Sequence, residues 1–434
     1  MRRKIIEKLL VWKNKGAKRM PLLLHGARQV GKTYALKEFG ERYYKNVAYV
    51  NLETNFLVAS YFADDITPER IIRYLESATG ETIVPNETLI ILDEIQISER
   101  ALTSLKYFRE EAPEYHVACA GSLLGVAINR EKYSFPVGNV DSITMYPFDF
   151  EEFLWANGKD KLGEEIRNSF SDDKALPEGL HAAAIDLYKL YLIIGGMPAV
   201  VREYVQTKKL VEVPDVQSKI LSDYIADMSK YTSNTESVKI RAAYNSIPNQ
   251  LAKDNKKYQY KVVQKGGNAS MFGEAIEWLN FAGVVQKCQK TEQGIMPISV
   301  YSDLSSFKLY MGDVGLLTTK SGVSHQTILS IMEIDNIFLG AIAENYVACA
   351  LAANGHQLYY WTSKNTAEVD FILQIEDDII PVEVKSGKRT SGKSIRIFMD
   401  TYKSKTAIRI SNKNFGFENG IKSVPLYAVF CISK

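Results

Sequence analysis

Short apolar segments alternate with helical patterns over the first 150 residues. The segment Leu89–Leu92 lacks the in-and-out alternation of a half-exposed strand, which is typical of a strand buried on both faces of a parallel sheet. The predicted strands are Pro21–His25, Asn46–Glu53, Thr88–Ile95, Tyr115–Ser122 and Asp141–Phe148, and the helices between them include Pro68–Thr79 and Ser98–Ala112. This order predicts an α/β fold, with a parallel sheet covered by helices.

Helical patterns dominate the section that follows Phe148. Gly195-Gly196-Met197-Pro198 interrupts them, because a glycine pair followed by proline ends one helix and starts another. The predicted helices are Asp149–Trp155, Ile185–Ile194, Pro198–Tyr204, Val216–Met228, Val238–Leu251, Tyr260–Val263 and Asn268–Ala282. Two strands then follow, Val284–Cys288 and Phe307–Met311, so residues 236–325 have the order of a winged helix. The helix Asn268–Ala282 contains two glutamates and no lysine or arginine, which favours a structural role over direct DNA reading.

The C-terminal section returns to an α/β pattern. A helix running to about Ala353 precedes strands over Leu358–Trp361, Glu368–Leu373 and Asp378–Lys385, and an acidic turn joins the last two as a hairpin. The alternation of side chains along a strand places Glu383 and Lys385 on one face and turns Val384 towards the core. The whole pattern predicts four domains: residues 1–150, 151–235, 236–325 and 326–434.

The composition is that of a globular protein and does not indicate a particular binding partner. The 434 residues carry 53 lysines and arginines against 51 aspartates and glutamates, so a nucleic-acid surface must be a local patch. The four cysteines are scattered, which suits a reducing cytoplasm. No apolar run approaches the ~18 residues that span a bilayer, and the basic N-terminal segment reads as an amphipathic helix with Ile5, Leu9, Leu10 and Trp12 roughly on one face. We therefore expect a cytoplasmic protein with no membrane partner.

The strongest chemical signal is a glycine-rich loop between a predicted strand and a predicted helix. Gly26–Thr33 fits the pattern G-x-x-x-x-G-K-[ST], whose backbone N–H groups surround the phosphates of a nucleotide. Lys32 is expected to reach the β- and γ-phosphates of ATP, and Thr33 to hold Mg²⁺ through its hydroxyl. The predicted nucleotide-binding residues are Gly26, Ala27, Arg28, Gln29, Val30, Gly31, Lys32, Thr33 and Tyr34.

A second motif supports the first. The apolar strand beginning at Thr88 ends in two adjacent carboxylates, Asp93 and Glu94. Asp93, at the strand tip, is placed to share the Mg²⁺ ion with Thr33. Glu94 is placed to polarise the water that attacks the γ-phosphate. Lys32 and Glu94 are therefore predicted to be catalytic, and Thr33 and Asp93 to be metal ligands.

Four charged residues predict a separate site near the C-terminus. Asp370 lies on one strand of the predicted hairpin, Glu383 and Lys385 lie on the other, and Glu344 lies on the upstream helix. Carboxylates beside a lysine suit metal-dependent hydrolysis of phosphodiesters, with a second Mg²⁺ or Mn²⁺ ion. The same residues also occur in salt-bridged hairpins that have no function, so cleavage of nucleic acid and mere binding both stay open.

The chain resembles one family, the predicted prokaryotic AAA+-like, signal-transduction-type P-loop ATPases with a C-terminal domain of unknown function. The resemblance lies in Leu22–Thr33, Leu92–Gln96, Ala120–Ser122, Tyr146–Phe153, Gly195–Pro198 and Ala367–Phe371. It implies an ATPase fold and ATP binding, a catalytic γ-phosphate sensor at Ser122, and a nucleotide contact at Pro198. The C-terminal spacing resembles PD-(D/E)xK nucleases. That likeness implies that Asp370 and Glu383 are metal ligands, Lys385 the catalytic lysine and Glu344 an accessory acid.

Two hypotheses follow from this arrangement. In the first, Mg²⁺-dependent ATP hydrolysis drives a conformational switch coupled to a nuclease-like domain that binds or cuts DNA or RNA. In the second, the chain is a signalling or scaffold ATPase whose C-terminal domain is a non-catalytic binding module. The sequence leaves the partner open, and a homo-oligomer or another protein would serve either hypothesis.

Overall fold

The structure, a computed structural model, describes residues 1–63, 65–121, 138–230, 232–330, 336–363, 367–386 and 392–434. The chain divides into two compact units. The N-terminal unit comprises Arg2–Tyr146 and Phe281–Gly283, and the C-terminal unit comprises Met1, Pro147–Asn280 and Val284–Lys434. None of the helices in the described ranges is both long and apolar enough to cross a bilayer.

The N-terminal unit is built on a parallel sheet. Its strands are β1 (Leu22–His25), β2 (Asn46–Asn51), β3 (Thr88–Asp93), β4 (His116–Ala120) and β5 (Asp141–Thr144). Its helices are α1 (Ile5–Lys13), α2 (Lys32–Tyr43), α3 (Phe56–Tyr61), α4 (Pro68–Thr79) and α5 (Glu99–Glu111). In the described residues the strand order is β2-β3-β4-β1-β5, with every neighbouring pair parallel. The predicted parallel sheet is confirmed; β1 ends at His25 as predicted, and the other four strands end two to four residues earlier than predicted.

The sheet order places the two predicted motifs at one edge. β3 is buried at all six positions, as its unbroken apolar sequence predicts. β1, which leads into the glycine loop, and β3, which ends at Asp93, are separated in the sheet only by β4. In a parallel sheet the carboxyl ends of the strands share one edge, where ligands of open α/β folds bind. The loop and the two carboxylates therefore lie at the same edge.

The C-terminal unit contains helices followed by a mixed sheet. Its helices are α6 (Phe150–Ala156), α7 (Asp160–Asp172), α8 (Glu178–Ile194), α9 (Pro198–Thr207), α10 (Val213–Lys230), α11 (Asn234–Leu251), α12 (Tyr260–Val263), α13 (Ala269–Phe281), α14 (Val314–Lys320), α15 (His325–Leu329), α16 (Ile337–Ala353) and α17 (Lys393–Tyr402). Its strands are β6 (Val285–Thr291), β7 (Ser302–Met311), β8 (Tyr359–Thr362), β9 (Glu368–Ile375), β10 (Asp378–Val384), β11 (Ala407–Ser411), β12 (Gly416–Glu418) and β13 (Ile421–Pro425).

One sheet joins strands from two of the predicted domains. In the described residues its order is β12-β13-β11-β10-β9-β8-β6-β7. The predicted hairpin is present, because β9 and β10 pair antiparallel, with Val382 opposite Phe371. The hairpin of β6 and β7, predicted as a wing, extends this sheet through parallel pairing of β6 with β8. The four domain boundaries, the winged helix and the endonuclease-like fold stay predictions.

Helix α16 forms the centre of the C-terminal unit. It is apolar on all sides, as expected of a helix with neighbours all round. Asn345 on this helix is fully buried, and its amide pairs with the backbone of Met311 at the end of β7: the side-chain oxygen accepts from the backbone N–H at 2.7 Å, and the amide nitrogen donates to the carbonyl at 3.1 Å. These bonds fix the position of α16 along β7, and Glu344 lies next to Asn345.

Candidate functional sites

The glycine loop has the backbone shape that phosphate binding requires. Gly26 has φ +137° and Gly31 has φ +94°, conformations that side chains rarely adopt. A Cβ at Gly26 would lie 2.1 Å from the carbonyl oxygen of Met145, so only glycine fits there. Gly31 directly precedes α2, which leaves the unpaired N–H groups of the first turn of that helix at the loop. The predicted strand–loop–helix context is therefore observed.

Lys32 is held inside this loop. Its ammonium donates hydrogen bonds to the carbonyl oxygens of Gly26 and Ala27, both at 2.8 Å, and the residue is only 7% exposed. Burial lowers the pKa of Lys32 to about 8, although the charges of Glu94 and Asp93 oppose the shift. Burial, with the charge of Lys32, also lowers the pKa of His25 to about 4, so that imidazole is neutral. Burying the ammonium of Lys32 costs solvation free energy, and a buried cation of this kind is suited to binding an anion.

Asp93 and Thr33 meet at the end of the sheet. The hydroxyl of Thr33 donates to Oδ2 of Asp93 at 2.8 Å, and the hydroxyl of Tyr49 donates to the same oxygen at 3.1 Å. A hydroxyl and a carboxylate side by side are oxygen ligands of the kind that Mg²⁺ prefers. The residues at this site fit the predicted metal ion. Sequence reasoning missed Tyr49, which lies on β2 beside β3.

Glu94 follows Asp93 in a strained backbone conformation. Its φ is +52°, in the left-handed region that is uncommon for residues other than glycine. Its backbone N–H donates to Oδ1 of Asp93 at 3.1 Å, and its side-chain carboxylate accepts a bond from Nε2 of Gln96 at 2.6 Å. Strain of this kind is common at catalytic positions, where the surroundings hold it in place. Gln96, which orients the carboxylate, had no assigned role in the sequence analysis.

The N-terminal helix supports the loop from the side. Arg3 donates to the carbonyl oxygen of Val30 at 3.1 Å and to that of Tyr146 at 2.7 Å. Ile5, Leu9 and Trp12 are buried along α1, as the amphipathic pattern predicts, although Leu10 is only half-buried. The basic segment thus packs against the loop of its own unit.

Three predicted nucleotide contacts stay predictions. Ser122, the predicted sensor, lies outside the described residues. Tyr34 is 61% exposed in the first turn of α2. Pro198 is the first residue of α9 and belongs to the C-terminal unit.

The glycine pair before Pro198 has a structural reason within its own unit. A Cβ at Gly195 would lie 2.2 Å from a carboxylate oxygen of Asp313, and a Cβ at Gly196 would lie 2.0 Å from the carbonyl oxygen of Phe148. Asp313 accepts a bond from the N–H of Gly196 at 2.6 Å and also caps α14 by accepting from Leu316 at 2.9 Å. Asp313 was not predicted as a partner of this turn, because it lies 117 residues away in the chain.

The C-terminal acidic site comprises the side chains of Glu344, Glu368, Asp370 and Glu383 and the cations that contact them. Glu344 is buried, and its carboxylate accepts bonds from Lys256, from Lys308 at 3.0 Å and from the hydroxyl of Tyr310. Lys308 is fully buried and also pairs with Glu368 at 2.6 Å. Burial would raise the pKa of Glu344, but Lys256 and Lys308 hold that pKa well below its usual range.

Asp370 and Glu383 are held in different ways. Asp370 accepts a bond from the backbone N–H of Val384 at 2.8 Å, and burial with the charge of Glu344 raises the pKa of Asp370 to about 6. Glu383 pairs with Lys385 at 3.3 Å and with Arg409 at 3.5 Å. The expectation that Val384 turns into the core is wrong, because Val384 is half-buried and Glu383 is buried between its two cations.

The carboxylates of this site do not fit a divalent metal ion. In the described part of the chain, no three His, Cys, Asp or Glu side chains come together as a metal site would require. The oxygens of Glu344 face two ammonium groups and a hydroxyl, and those of Glu383 face an ammonium and a guanidinium. The second Mg²⁺ or Mn²⁺ expected from the sequence therefore has no support here. Lys308 went unnoticed, although a lysine between Phe307 and Leu309 in an apolar strand was the available signal.

Family comparisons identify three segments. A family model described as an AAA domain matches residues 18–154. Two domains of unknown function, DUF8612 and DUF4143, match residues 185–327 and 339–429. No curated protein matches the sequence.

Solved structures resemble the chain over much of its length. A Walker-type ATPase of Pyrococcus abyssi is 14% identical, with a TM-score of 0.45 over 74% of this chain and 95% of that one. The ORC2 protein of Aeropyrum pernix, in ADPNP–ADP complexes, is 14% identical, with a TM-score of 0.34 over 76% and 94%. DnaA from Aquifex aeolicus, bound to AMPPCP, is 12% identical, with a TM-score of 0.27 over 64% and 86%.

The first family match covers the glycine loop, the strand that ends at Asp93 and the parallel sheet that brings them together. Residues 18–154 of the chain therefore match an AAA domain and contain the strand–loop–helix context of a P-loop.

Proposed function

We propose that the chain binds ATP with Mg²⁺ at Gly26–Thr33 and hydrolyses it. The observation that carries this proposal is the contact between Thr33 and Asp93 at 2.8 Å, beside a loop that already holds a buried ammonium. The hydroxyl of Thr33 and the carboxylate of Asp93 supply a pair of metal ligands, and Lys32 supplies a phosphate contact. The AAA family match supports the same reading.

Each residue has a defined task in this proposal. The N–H groups of the loop and of the first turn of α2 bind the phosphates, and Lys32 exchanges its two carbonyl contacts for phosphate oxygens. Thr33 and Asp93 would hold Mg²⁺, which neutralises charge on the phosphates. Glu94, oriented by Gln96, accepts a proton from the attacking water.

A Lys32→Ala variant tests this assignment. Loss of a charge-assisted contact is worth ~1.5–3 kcal/mol, so we expect ATP affinity to fall by about 10- to 100-fold. Isothermal calorimetry measures the affinity, and phosphate release measures the rate. Lys45→Ala is the matched control, because Lys45 is an exposed lysine of the same unit that pairs with Glu87. Wild-type ATP affinity in Lys32→Ala would refute the assignment.

We further propose that ATP hydrolysis drives a conformational switch, and that the C-terminal unit acts in it by binding a partner. The ion pairs of Glu344 and Glu383 support binding over cleavage, because their oxygens already face cations. The resemblance of this segment to nucleases makes DNA or RNA the first partner to test.

The ATPase rate with and without nucleic acid tests this second part. We expect single-stranded or duplex DNA, or RNA, to change the rate severalfold, and we expect the nucleic acid to stay intact in Mg²⁺ or Mn²⁺. A flat response would remove nucleic acid as the partner. Cleavage that is lost in Lys385→Ala would instead establish a nuclease.

A further inference from the structure

The acidic site of the C-terminal unit contains a positive charge of its own. Lys308 lies on β7, and its ammonium contacts Glu344 of α16 at 3.0 Å and Glu368 of β9 at 2.6 Å. The side chain is completely buried, while Glu368 is partly exposed. The ammonium of Lys308 thus links its own strand β7 to helix α16 and to strand β9.

A buried ammonium is stable only where acids surround it. Burial alone would lower the pKa of Lys308, but Glu344, Glu368 and Asp370 together raise it well above its usual value. Lys308 therefore keeps its charge at any physiological pH. Its ring contact with Tyr360, 5.0 Å from the ring centroid, adds a further interaction with the cation.

Three further cations neutralise Glu344 and Glu383. Lys256 pairs with the far oxygen of Glu344, and Lys385 and Arg409 take the two oxygens of Glu383. A divalent ion here would have to displace these groups and would bring two positive charges close to a buried ammonium. The site therefore disfavours Mg²⁺ through its own side chains.

We propose that the ammonium of Lys308 is the resident cation of the C-terminal acidic site and that it holds Glu344 and Glu368 together without a divalent metal ion. This inference does not depend on ATP hydrolysis. It gives these carboxylates a structural role within the C-terminal unit, in place of the metal-ligand role that the sequence predicts.

Titration of the full-length, nucleotide-free protein with Mn²⁺ alone tests the proposal. Electron paramagnetic resonance of free Mn²⁺ gives the number of ions bound per chain. We expect Asp370→Asn and Glu383→Gln to bind as much Mn²⁺ as the wild type. Asp93→Asn identifies any ion bound at the nucleotide loop. Loss of one bound Mn²⁺ per chain in Asp370→Asn or Glu383→Gln would overturn the proposal.

The melting temperature of a Lys308→Ala variant is an independent test of the same proposal. Removing the ammonium leaves Glu344 and Glu368 without their shared cation, so we expect the melting temperature to fall by about 10 °C. Lys287→Ala is the matched control, because Lys287 lies on the neighbouring strand β6 and pairs with the partly exposed Glu277. Equal melting temperatures for the two variants would contradict the proposal. If Lys308→Ala does not fold, the Mn²⁺ titration of the other variants still decides.

Discussion

Lys32 is the charged residue of the glycine loop whose side chain is buried. Its ammonium has two carbonyl oxygens within hydrogen-bond distance, and burial lowers its pKa to about 8. Near neutral pH the group is therefore mostly charged, but a modest rise in pH removes the proton. A bound triphosphate favours the ammonium, so the pKa of Lys32 rises when the nucleotide binds.

This shift predicts proton uptake on ATP binding at alkaline pH. The free-state pKa is depressed and the bound-state pKa is higher, so between these values ATP binding takes up a proton and affinity falls as pH rises through about 8. Calorimetry at pH 9 in two buffers of different ionisation enthalpy measures the number of protons directly. We expect a value clearly above zero for the wild type. In Lys32→Arg, residual binding takes up no proton at this position, because arginine stays charged. Equal uptake in both proteins would contradict the assignment.

At the scale of elements, the break between α8 and α9 is set by close packing. The chain passes between the backbone of Phe148 and the carboxylate of Asp313, where no side chain fits. Gln217 of α10 completes the junction by donating to the carbonyls of Ile193 and Ile194 at 2.8 and 3.0 Å, the last orphan carbonyls of α8. A side chain of α10 thus satisfies the last carbonyls of α8.

Gly196→Ala tests this close approach. The added Cβ would lie 2.0 Å from the carbonyl oxygen of Phe148, so backbone must move and we expect a loss of about 3 kcal/mol or more. Differential scanning calorimetry measures the change. Gly179→Ala is the control, because nothing lies within 4 Å of its Cβ on α8, and there alanine should stabilise by up to about 1 kcal/mol. Equal stability of the two variants would show that the junction is looser than the structure has it.

For the whole molecule, the two units use buried charge in different ways. The N-terminal unit keeps Lys32 in the glycine loop, where its ammonium contacts only neutral carbonyl oxygens among the hydrogen-bond partners described. The C-terminal unit neutralises Glu344 and Glu383 with lysines and an arginine of its own. The charge of Lys32 is suited to an incoming anion. The carboxylates of Glu344 and Glu383 are already paired with cations of the same unit.

Features formed by contiguous residues could be predicted from the sequence, and features formed by residues distant in the chain could not. Gly26–Thr33 and the strand ending at Asp93 carry their meaning in contiguous residues, and Pro68–Thr79 has the bounds predicted for it. Lys308 and Asp313 act through partners 36 and 117 residues away, which no local pattern reveals.

The C-terminal strands show the same limit. Alternation predicted a buried Val384, yet two cations allow Glu383 to be buried instead. Strands β11 to β13 and helix α17 were not predicted, and the three strands have only five, three and five residues, too few to show a clear alternation.

The most direct test of the central claim is ATP binding and hydrolysis measured together in Glu94→Gln. The substitution keeps the shape of the side chain and removes its ability to accept a proton. We expect ATP affinity within about threefold of the wild type and a single-turnover rate lower by roughly 10²–10⁴-fold. A wild-type rate in this variant would contradict the claim that ATP is hydrolysed at the end of β3.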